Sequence, residues 1–384
     1  MGEETGEGGQ AATRWPIVWI AFGAGIVAAT HIGKLPPALP EIRVELGAGL
    51  VLGGWIASMI SCTGFALGLI AGSVADRLGL RRVLLLGLLI LSAGSLLGAF
   101  ATTGTDMLIS RFLEGLGFTS ATITGAAIIV RVTAPGDRKW ALGVWSSYVP
   151  VGFAGTLIFG ALIHDVVGWR ALWIGCAILT VAWSAAVYFV TAGWQRRQVG
   201  EIVPESLARN IQRTLAAPGA VIVSVCFALY AAQHISMMNW LPTYMVEVHG
   251  AATLLAAAVP ALVLLFNAGG NWLSARMMGR GIGIWTLLLV GALGMAATEI
   301  CLFSGALPDG LRLVFAVLFG VAGGMIPAAA LGSVATFTPS PAQIGTMNGL
   351  MVMGTNAGQL FGPPSLAAAR ESAGNWEGVL PLVL

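Results

Sequence analysis

Charged side chains are scarce in this chain: Asp, Glu, Lys and Arg make up 9% of its 384 residues, against about 25% in an average soluble domain. Hydrophobic residues account for 57% of the chain. A soluble domain is excluded because so few polar residues could not cover its surface. The sequence instead predicts an all-α protein embedded in a lipid bilayer.

Cysteine and catalytic motifs are also scarce. The four cysteines lack the paired or clustered spacing of a disulfide framework or a metal site. No HExxH, GxSxG or GxGD pattern is present, which argues against an enzyme. The net charge of +2 provides no basic face for nucleic acid. We therefore predict no metal, no cofactor, no nucleic-acid partner and no enzymatic activity.

The hydrophobic residues fall into runs of roughly 20, the length that crosses a hydrocarbon core. Six runs precede a polar stretch and five follow it: 15–36, 50–72, 82–102, 106–130, 140–163, 169–192, 218–244, 252–275, 282–304, 311–335 and 342–368. The predicted domains are a cytoplasmic tail (1–14), a six-helix bundle (15–192), a cytoplasmic linker (193–217) and a second bundle (218–384) of five complete helices and a stub. A twelfth helix has barely begun at Leu384, so we expect either a truncated chain or a partner that covers the gap.

The basic residues predict how the chain crosses the membrane, since such residues are retained on the cytoplasmic side. With the N-terminus in the cytoplasm, 13 of the 19 Lys and Arg residues lie at cytoplasmic helix ends. They are Arg14, Arg77, Arg81, Arg82, Arg131, Arg138, Lys139, Arg196, Arg197, Arg209, Arg213, Arg276 and Arg280. No signal-like leader precedes the first run, so we expect it to remain in the mature protein. The prediction is a multi-pass protein of the inner (plasma) membrane with a cytoplasmic N-terminus.

The two halves of the chain are repeats. His31 lies 15 residues after Pro16 and His234 lies 16 residues after Pro218; an isoleucine and then a Leu-Pro pair follow each histidine. The Gly-rich stretches GVWSSYVPVGFAGTLIFGAL and GTMNGLMVMGTNAGQLFGPP correspond in the same way. Duplicated six-helix halves are typical of secondary transporters, whose substrate site lies at the interface between the repeats.

Two motifs resemble those of the major facilitator superfamily. The loop GSVADRLGLRR matches the signature loop of that family at Gly72, Asp76, Arg77, Gly79, Arg81 and Arg82. The stretch RFLEGLG is similar to its arginine-led fourth-helix motif, with Glu114 where many members have glutamine. The resemblance implies two six-helix bundles that rock about a central site to give alternating access. It also implies a cytoplasmic gate in which Asp76, Arg77 and Arg81 form a latch, with Gly72 and Gly79 at tight contacts and turns.

Arg111 and Glu114 form the strongest charge feature inside the predicted spans. They are three residues apart, hence on one helical face, and can neutralise each other. A charge at the bilayer centre costs about 2.5 to 3.5 kcal/mol, so such residues usually face a cavity or a partner. Arg111 is predicted to hold an anionic substrate and Glu114 to take up a coupling proton; the alternative is a static pair that only positions the fourth helix.

Other polar residues inside the spans complete the predicted substrate and proton pathway. His31 and His234 are expected to face each other across the pseudo-twofold axis, because the first and seventh helices line the cavity in this family. Lys34 either joins them or extends to the membrane surface. Gln233, Asn239 and Asn356 add neutral donors and acceptors that either line the path or tie helices together. For Glu299, near the outer end of the ninth helix, a structural role is favoured.

These residues predict a proton-coupled carrier of a small organic or inorganic anion, with protons and the lipid bilayer as its other partners. Its cationic and titratable groups motivate that choice, and the fifth-helix pattern is similar to the cyanate-permease-like branch of the family. The alternative is a proton-coupled exporter of drugs or metabolites, which a carboxylate such as Glu114 would suit. The fifth span has PVGFAG around Pro150 where drug exporters usually have a Gly-Pro and paired glycines, which disfavours that alternative.

Overall fold

The computed structural model describes residues 12–145, 147–194, 207–303, 307–337 and 344–379. Every regular element in these ranges is a helix. The α-helices are α1 (Trp15–Gly33), α2 (Leu35–Glu45), α3 (Leu50–Ser58), α4 (Cys62–Leu78), α5 (Leu80–Ala99), α6 (Gly104–Val132), α7 (Arg138–Trp145), α8 (Tyr148–Val190), α9 (Leu207–Leu215), α10 (Pro218–His249), α11 (Thr253–Gly279), α12 (Ile284–Phe303), α13 (Asp309–Gly332), α14 (Val334–Phe337) and α15 (Ile344–Ala373). A 3₁₀ turn at Met59–Ser61 joins α3 to α4, and another lies at Glu377–Val379.

Helices overlap all eleven predicted spans, although several boundaries differ. Within the described ranges, nine stretches are long and apolar enough to cross a membrane, and Tyr148–Ile163 is a shorter apolar helix. The 30-residue helix α15 occupies the place of the eleventh predicted span. The prediction of an all-α membrane protein is therefore confirmed. The predicted division into two bundles at 193–217 stays a prediction, since residues 195–206 lie outside the described residues.

The first span is longer than the sequence indicated. It was predicted to end at residue 36, but the chain turns only slightly at Lys34 and continues as α2 to Glu45. Pro36 lies in the first turn of α2, where a helix tolerates proline because the missing N–H has no intrahelical acceptor. The Leu-Pro pair therefore marks a junction inside the span and not its end.

A glycine separates the fifth span from the sixth. Helix α8 is interrupted at Gly168, where φ is 70° and ψ is 170°. Residues other than glycine rarely adopt this backbone conformation. The segment after this break bonds to α1 through Thr180 and Trp183 and to α5 through Trp173 and Ala177. It thereby supplies side chains to the buried site described below.

Several helix contacts join the first six spans to the rest of the chain. Helix α15 lies against α3 and α4, α8 lies against α11, and α2 meets α10. Small residues allow the close approach: a methyl group on Gly64 would collide with Asn356, and one on Gly54 would lie 2.7 Å from the Cα of Pro364. Close backbone packing of this kind drives helix association in lipid.

Candidate functional site

Four of the predicted pathway residues come together in one buried cluster. His31 and Lys34 come from the first span, and Arg111 and Glu114 from α6. Their side chains are each 0% exposed. We call these four residues the buried charge cluster. The alternative in which Lys34 extends to the membrane surface is wrong, because its ammonium group lies inside the protein.

Glu114 is the centre of the cluster. Its Oε1 is ion-paired with Lys34 Nζ, and its Oε2 with Arg111 Nη1. The second pair is the contact that the three-residue spacing predicted. Lys34 Nζ also donates to Ser95 Oγ at 2.6 Å and lies 4.4 Å from the centre of the Trp173 ring. A carboxylate between two cations is strongly held in a buried environment, where each charge needs a partner.

Backbone carbonyl groups fix the guanidinium group of Arg111. Nη1 donates to the carbonyl oxygen of His31 at 2.7 Å, and Nε donates to that of Ile56 at 3.2 Å. Nη2 is buried and has no hydrogen-bond partner among the described residues. An unmade hydrogen bond of a buried charged donor is costly, so Nη2 is the position in the cluster where a further acceptor would be most favourable.

His31 can hold or release a proton without moving. Its Nε2 lies 2.8 Å from Thr180 Oγ1, and Thr180 itself donates to the carbonyl oxygen of Cys176. Nε2 must therefore be the donor to Thr180. Nδ1 lies 3.2 Å from Lys34 Nζ and 3.1 Å from Glu114 Oε1. Neutral His31 accepts from Lys34 at Nδ1, whereas protonated His31 donates to Glu114, so both protonation states find a partner.

The charges of the cluster do not cancel. With His31 neutral, Lys34 and Arg111 contribute two positive charges against the single negative charge of Glu114. Burying an uncompensated charge is unfavourable in a medium of low dielectric constant. The cluster is therefore complementary to one additional negative charge.

Sequence reasoning missed three partners of the cluster. Ser95, Trp173 and Thr180 lie in apolar runs of α5 and α8, where a single hydroxyl group or indole ring is common and carries no motif. Ser95 Oγ donates to the carbonyl oxygen of Trp173 at 2.8 Å, which ties α5 to the second part of α8. In the sequence, each of these residues is marked only by a polar atom within a predicted span. Many spans contain such an atom, so it does not identify a site residue.

The other predicted pathway residues lie elsewhere. His234 is stacked between Tyr230 and Phe319, with ring centres at 5.3 and 6.0 Å, whereas both ring nitrogens of His31 have partners in the first six spans. No contact joins the two histidines in the described part of the chain, and the expectation that they face each other across the pseudo-twofold axis stays a prediction. Each is held by its own half.

The three amide residues of the predicted pathway also lie outside the cluster. Asn239 and Asn356 donate to carbonyl oxygens four residues earlier in their own helices, those of Ile235 and Val352, at 2.9 and 2.8 Å. Gln233 contacts Glu299 of α12. The Gln233 bond joins two helices, as one alternative predicted, whereas the bonds of Asn239 and Asn356 lie within their own helices and favour neither alternative.

The signature loop is described in part. The surroundings of Gly72 and the side chains of Asp76 and Arg77 are not among the described parts of the chain, so the predicted latch stays a prediction. Gly79 has a φ of 90° and makes the turn between α4 and α5. Arg81 donates to Thr191 Oγ1 at 2.8 Å and to the carbonyl oxygen of Tyr188 at 2.9 Å, both at the end of α8.

A second charged group joins the halves where α2 and α10 end, on the side predicted to face outside. Glu247 Oε1 lies 3.6 Å from Arg43 Nη1, and its Oε2 lies 3.8 Å from Arg370 Nη2. Trp376 Nε1 donates to the same Oε2 at 3.2 Å. Arg43, Glu247 and Arg370 are called the outer ion-pair group. It links α2, α10 and α15, and no motif in the sequence singles it out.

A cavity of about 960 Å³ lies in the second half of the chain, away from the buried charge cluster. Its walls are side chains of α10, α12, α13 and α15, most of them apolar, including Leu229, Trp285, Leu289 and Phe361. Gln233 and Ser236 supply polar atoms to its lining. It does not coincide with the predicted anion site.

The profile of the Major Facilitator Superfamily matches residues 20–363. The chain belongs to this superfamily. The resemblance inferred from the two motifs is therefore confirmed.

Relatives of this superfamily member differ in their named substrates. An uncharacterised MFS-type transporter of Mycobacterium tuberculosis is 34% identical over 43% of this chain, a match that spans 25% of the relative's own length. A Bacillus subtilis protein named for niacin/nicotinamide transport is 24% identical over 86% of this chain and 85% of its own. A Thermus thermophilus protein named as a nitrate/nitrite antiporter is 28% identical over 87% of this chain and 80% of its own.

The fold of this MFS protein is shared with a solved structure. A bacterial homologue of the human lysosomal transporter Spinster, in an inward-facing and unoccupied conformation, matches with a TM-score of 0.80. The match covers 96% of this chain and 84% of the other, at 17% sequence identity. At that identity, the likeness establishes the fold alone.

Proposed function

We propose that this protein is a secondary active transporter that moves a small organic or inorganic anion across the inner membrane by proton-coupled symport. Its N-terminus lies in the cytoplasm, and its two bundles, 15–192 and 218–384, rock about the membrane centre. The anion binds at the buried charge cluster. It is a carrier and not an enzyme.

The excess positive charge of the cluster is the observation that carries this proposal. Lys34 and Arg111 outnumber Glu114, and Arg111 Nη2 has an unused donor among the described residues. An anion that accepts a hydrogen bond from Nη2 would compensate the excess positive charge and also use the free donor. Charge-assisted hydrogen bonds from guanidinium groups are among the stronger polar contacts available to an anion.

Proton coupling is assigned to His31. Binding of the anion adds a negative charge beside the imidazole and favours its protonated state, in which Nδ1 donates to Glu114. Release of the anion reverses this preference. Symport follows, because the proton and the anion stabilise each other in one occluded site.

Two relatives support an anionic substrate. Nitrate and nitrite, the ions in the name of the Thermus protein, are small planar anions. Niacin, in the name of the Bacillus protein, carries a carboxyl group. Both relatives align with more than four-fifths of this chain.

The described conformation is proposed to be inward-facing, like the solved homologue. In support, α2 meets α10 and the outer ion-pair group ties them to α15. Opening to the outside then requires these contacts to break. On the opposite side, Asp76, Arg77 and Arg81 are proposed to form the latch of the outward-facing state.

The test is anion-driven proton uptake in proteoliposomes that contain the full 384-residue chain. An outside-to-inside concentration gradient of one anion at a time is imposed while the external pH is recorded. The anions tested are nitrate, nitrite, nicotinate, cyanate and small carboxylates. We expect one of them to raise the external pH. Arg111→Ala should reduce the initial rate by about two orders of magnitude, since truncating one partner of a buried charge pair costs about 2 to 5 kcal/mol.

The matched control is Arg213→Ala, which removes an exposed arginine from α9. Its rate should equal that of the parent. If no anion changes the external pH, or if both arginine variants respond alike, the anion-symport proposal is wrong.

A second candidate is proton-coupled export of an apolar drug or metabolite. The mostly apolar cavity between α10, α12 and α15 favours it. So do relatives named as a puromycin resistance protein of Streptomyces alboniger and a cephamycin export protein of Amycolatopsis lactamdurans. This function would be supported if lipophilic compounds moved against a proton gradient and if Glu114→Gln abolished that movement.

A further inference from the structure

Glu299 of α12 is a second carboxyl group buried within the predicted membrane region. Its side chain is 0% exposed. The sequence favoured a structural role, on the argument that the ninth helix lies at the periphery. The contacts of this side chain point to a different role.

The two oxygens of Glu299 are unequally satisfied. Oε2 accepts a hydrogen bond from Gln233 Nε2 of α10. Oε1 is buried and has no hydrogen-bond partner among the described residues. Glu299 also forms no ion pair within those residues. An ionised carboxylate requires several donors or a cation when it is removed from water, and this environment supplies a single neutral amide.

Glu114 provides an internal comparison. Both carboxyl groups are fully buried, yet Glu114 lies against Lys34 and Arg111 whereas Glu299 lies against Gln233. The cations favour the ionised form of Glu114. The neutral surroundings favour the protonated form of Glu299, whose hydroxyl group needs only one acceptor.

Among the described side chains of the neighbouring helices α10 and α13, none forms an ion pair with Glu299. On α10, the titratable side chains beside Gln233 are Tyr230, which bonds to Asn267, and His234, which is stacked on Tyr230. On α13, the charged residues are Asp309, whose side chain lies outside the described residues, and Arg312, which bonds to Tyr244 and His249 at the outer end. Protonation of Glu299 is thus governed by water access.

A cavity reaches the hydrogen-bond partner of Glu299. Gln233, the partner of Glu299, lines the cavity of about 960 Å³, as do Ala292 and Ala296 of the same helix α12. Ala296 lies three residues before Glu299 and therefore on the same helical face. The Gln233 side chain thus contacts both the carboxyl group and the cavity.

We propose that Glu299 is a proton-binding site in the second half of the protein, separate from the buried charge cluster. It carries a proton while the carboxyl group is dry and releases it when water enters past Gln233. Its part in transport rests on the proposed proton coupling, but proton binding itself requires no substrate.

The test uses N,N′-dicyclohexylcarbodiimide, an apolar reagent that modifies protonated carboxyl groups. The acid adds across one C=N bond: a carboxyl oxygen bonds to the central carbon, and the acid proton passes to a nitrogen. An acyl shift from oxygen to nitrogen then gives a stable N-acylurea that retains the whole reagent. The purified full chain is labelled at a series of pH values, digested and analysed by mass spectrometry.

We expect labelling at Glu299 that declines as the pH is raised, with none at Glu114 or at the exposed Glu45. Gln233→Ala widens the access from the cavity and should increase the labelling rate. Absence of label at Glu299 in both proteins would overturn the proposal, and so would labelling that does not change with pH. Because no substrate is present, this result is independent of whether any anion is transported.

Discussion

Glu114 lies against both Lys34 and Arg111, so at the scale of single residues the loss of the carboxylate and the loss of a cation have different consequences. Glu114→Gln leaves two buried cations without a counter-ion. We expect it to lower the free energy of unfolding by about 3 to 5 kcal/mol, as when one partner of a buried pair is removed. Thermal unfolding in detergent, followed by tryptophan fluorescence, measures the change.

Lys34→Met is the comparison for that experiment. It leaves Arg111 and Glu114 as a balanced pair, so its melting temperature should lie clearly above that of Glu114→Gln. Equal losses in the two variants would mean that the cluster is not organised around the carboxylate.

His31 separates proton coupling from anion binding. His31→Gln keeps a hydrogen-bonding side chain but cannot be protonated, so proton uptake driven by the anion should be lost. Exchange of labelled for unlabelled anion, which needs no net proton movement, should persist. A variant that loses both activities together would place His31 in binding and not in coupling.

The sequence could predict the Arg111–Glu114 pair, because spacing along one helix determines it. It could not place Lys34 and His31 beside that pair, since this depends on how α1 packs against α6. The three missed partners, Ser95, Trp173 and Thr180, come from α5 and α8 and carry no local signal.

At the scale of elements, glycines set how closely the helices approach. A methyl group on Gly358 of α15 would collide with the carbonyl oxygen of Ala228 in α10, whereas one on Gly175 of α8 meets nothing within 4 Å. Gly358→Ala should therefore reduce stability by about 1 to 3 kcal/mol through overpacking. Gly175→Ala should leave the melting temperature unchanged or raise it slightly; a similar loss in both variants would contradict the packing argument.

Element positions were largely predictable, because a bilayer admits few alternatives to apolar helices of the right length. The predicted boundaries differ from the observed ones at two junctions between helices. Hydropathy ended the first span at residue 36, although α2 continues it to Glu45, since prolines in a first turn do not stop a helix. The fifth span begins only at Tyr148, because residues from Arg138 form the separate helix α7.

At the scale of the whole molecule, the outer ion-pair group connects the two halves. Glu247→Gln removes the acid that both Arg43 and Arg370 contact, and we expect the halves to separate more often on this side. Spin labels at Val44 of α2 and Val248 of α10, both exposed, report the distance by pulsed electron resonance. The distribution should gain a longer component.

Glu45→Gln is the matched control for that experiment. Glu45 contacts Trp169 and Arg170, which both belong to α8, so its loss leaves the junction of the halves intact. An unchanged distance distribution in Glu247→Gln, or the same change in Glu45→Gln, would show that this group does not hold the halves together.

The unbalanced charge of the buried cluster also has an electrical consequence. A living membrane maintains a voltage, and moving one elementary charge through its full field changes the free energy by about 2.3 kcal/mol per 100 mV. On the proposed function, the empty carrier presents one positive charge to that field each time it reorients. The loaded carrier presents the same charge, because the proton on His31 offsets the charge of the bound anion. The voltage would then act with equal size and opposite sense on the loaded step and on the empty return, and a complete cycle would move no net charge.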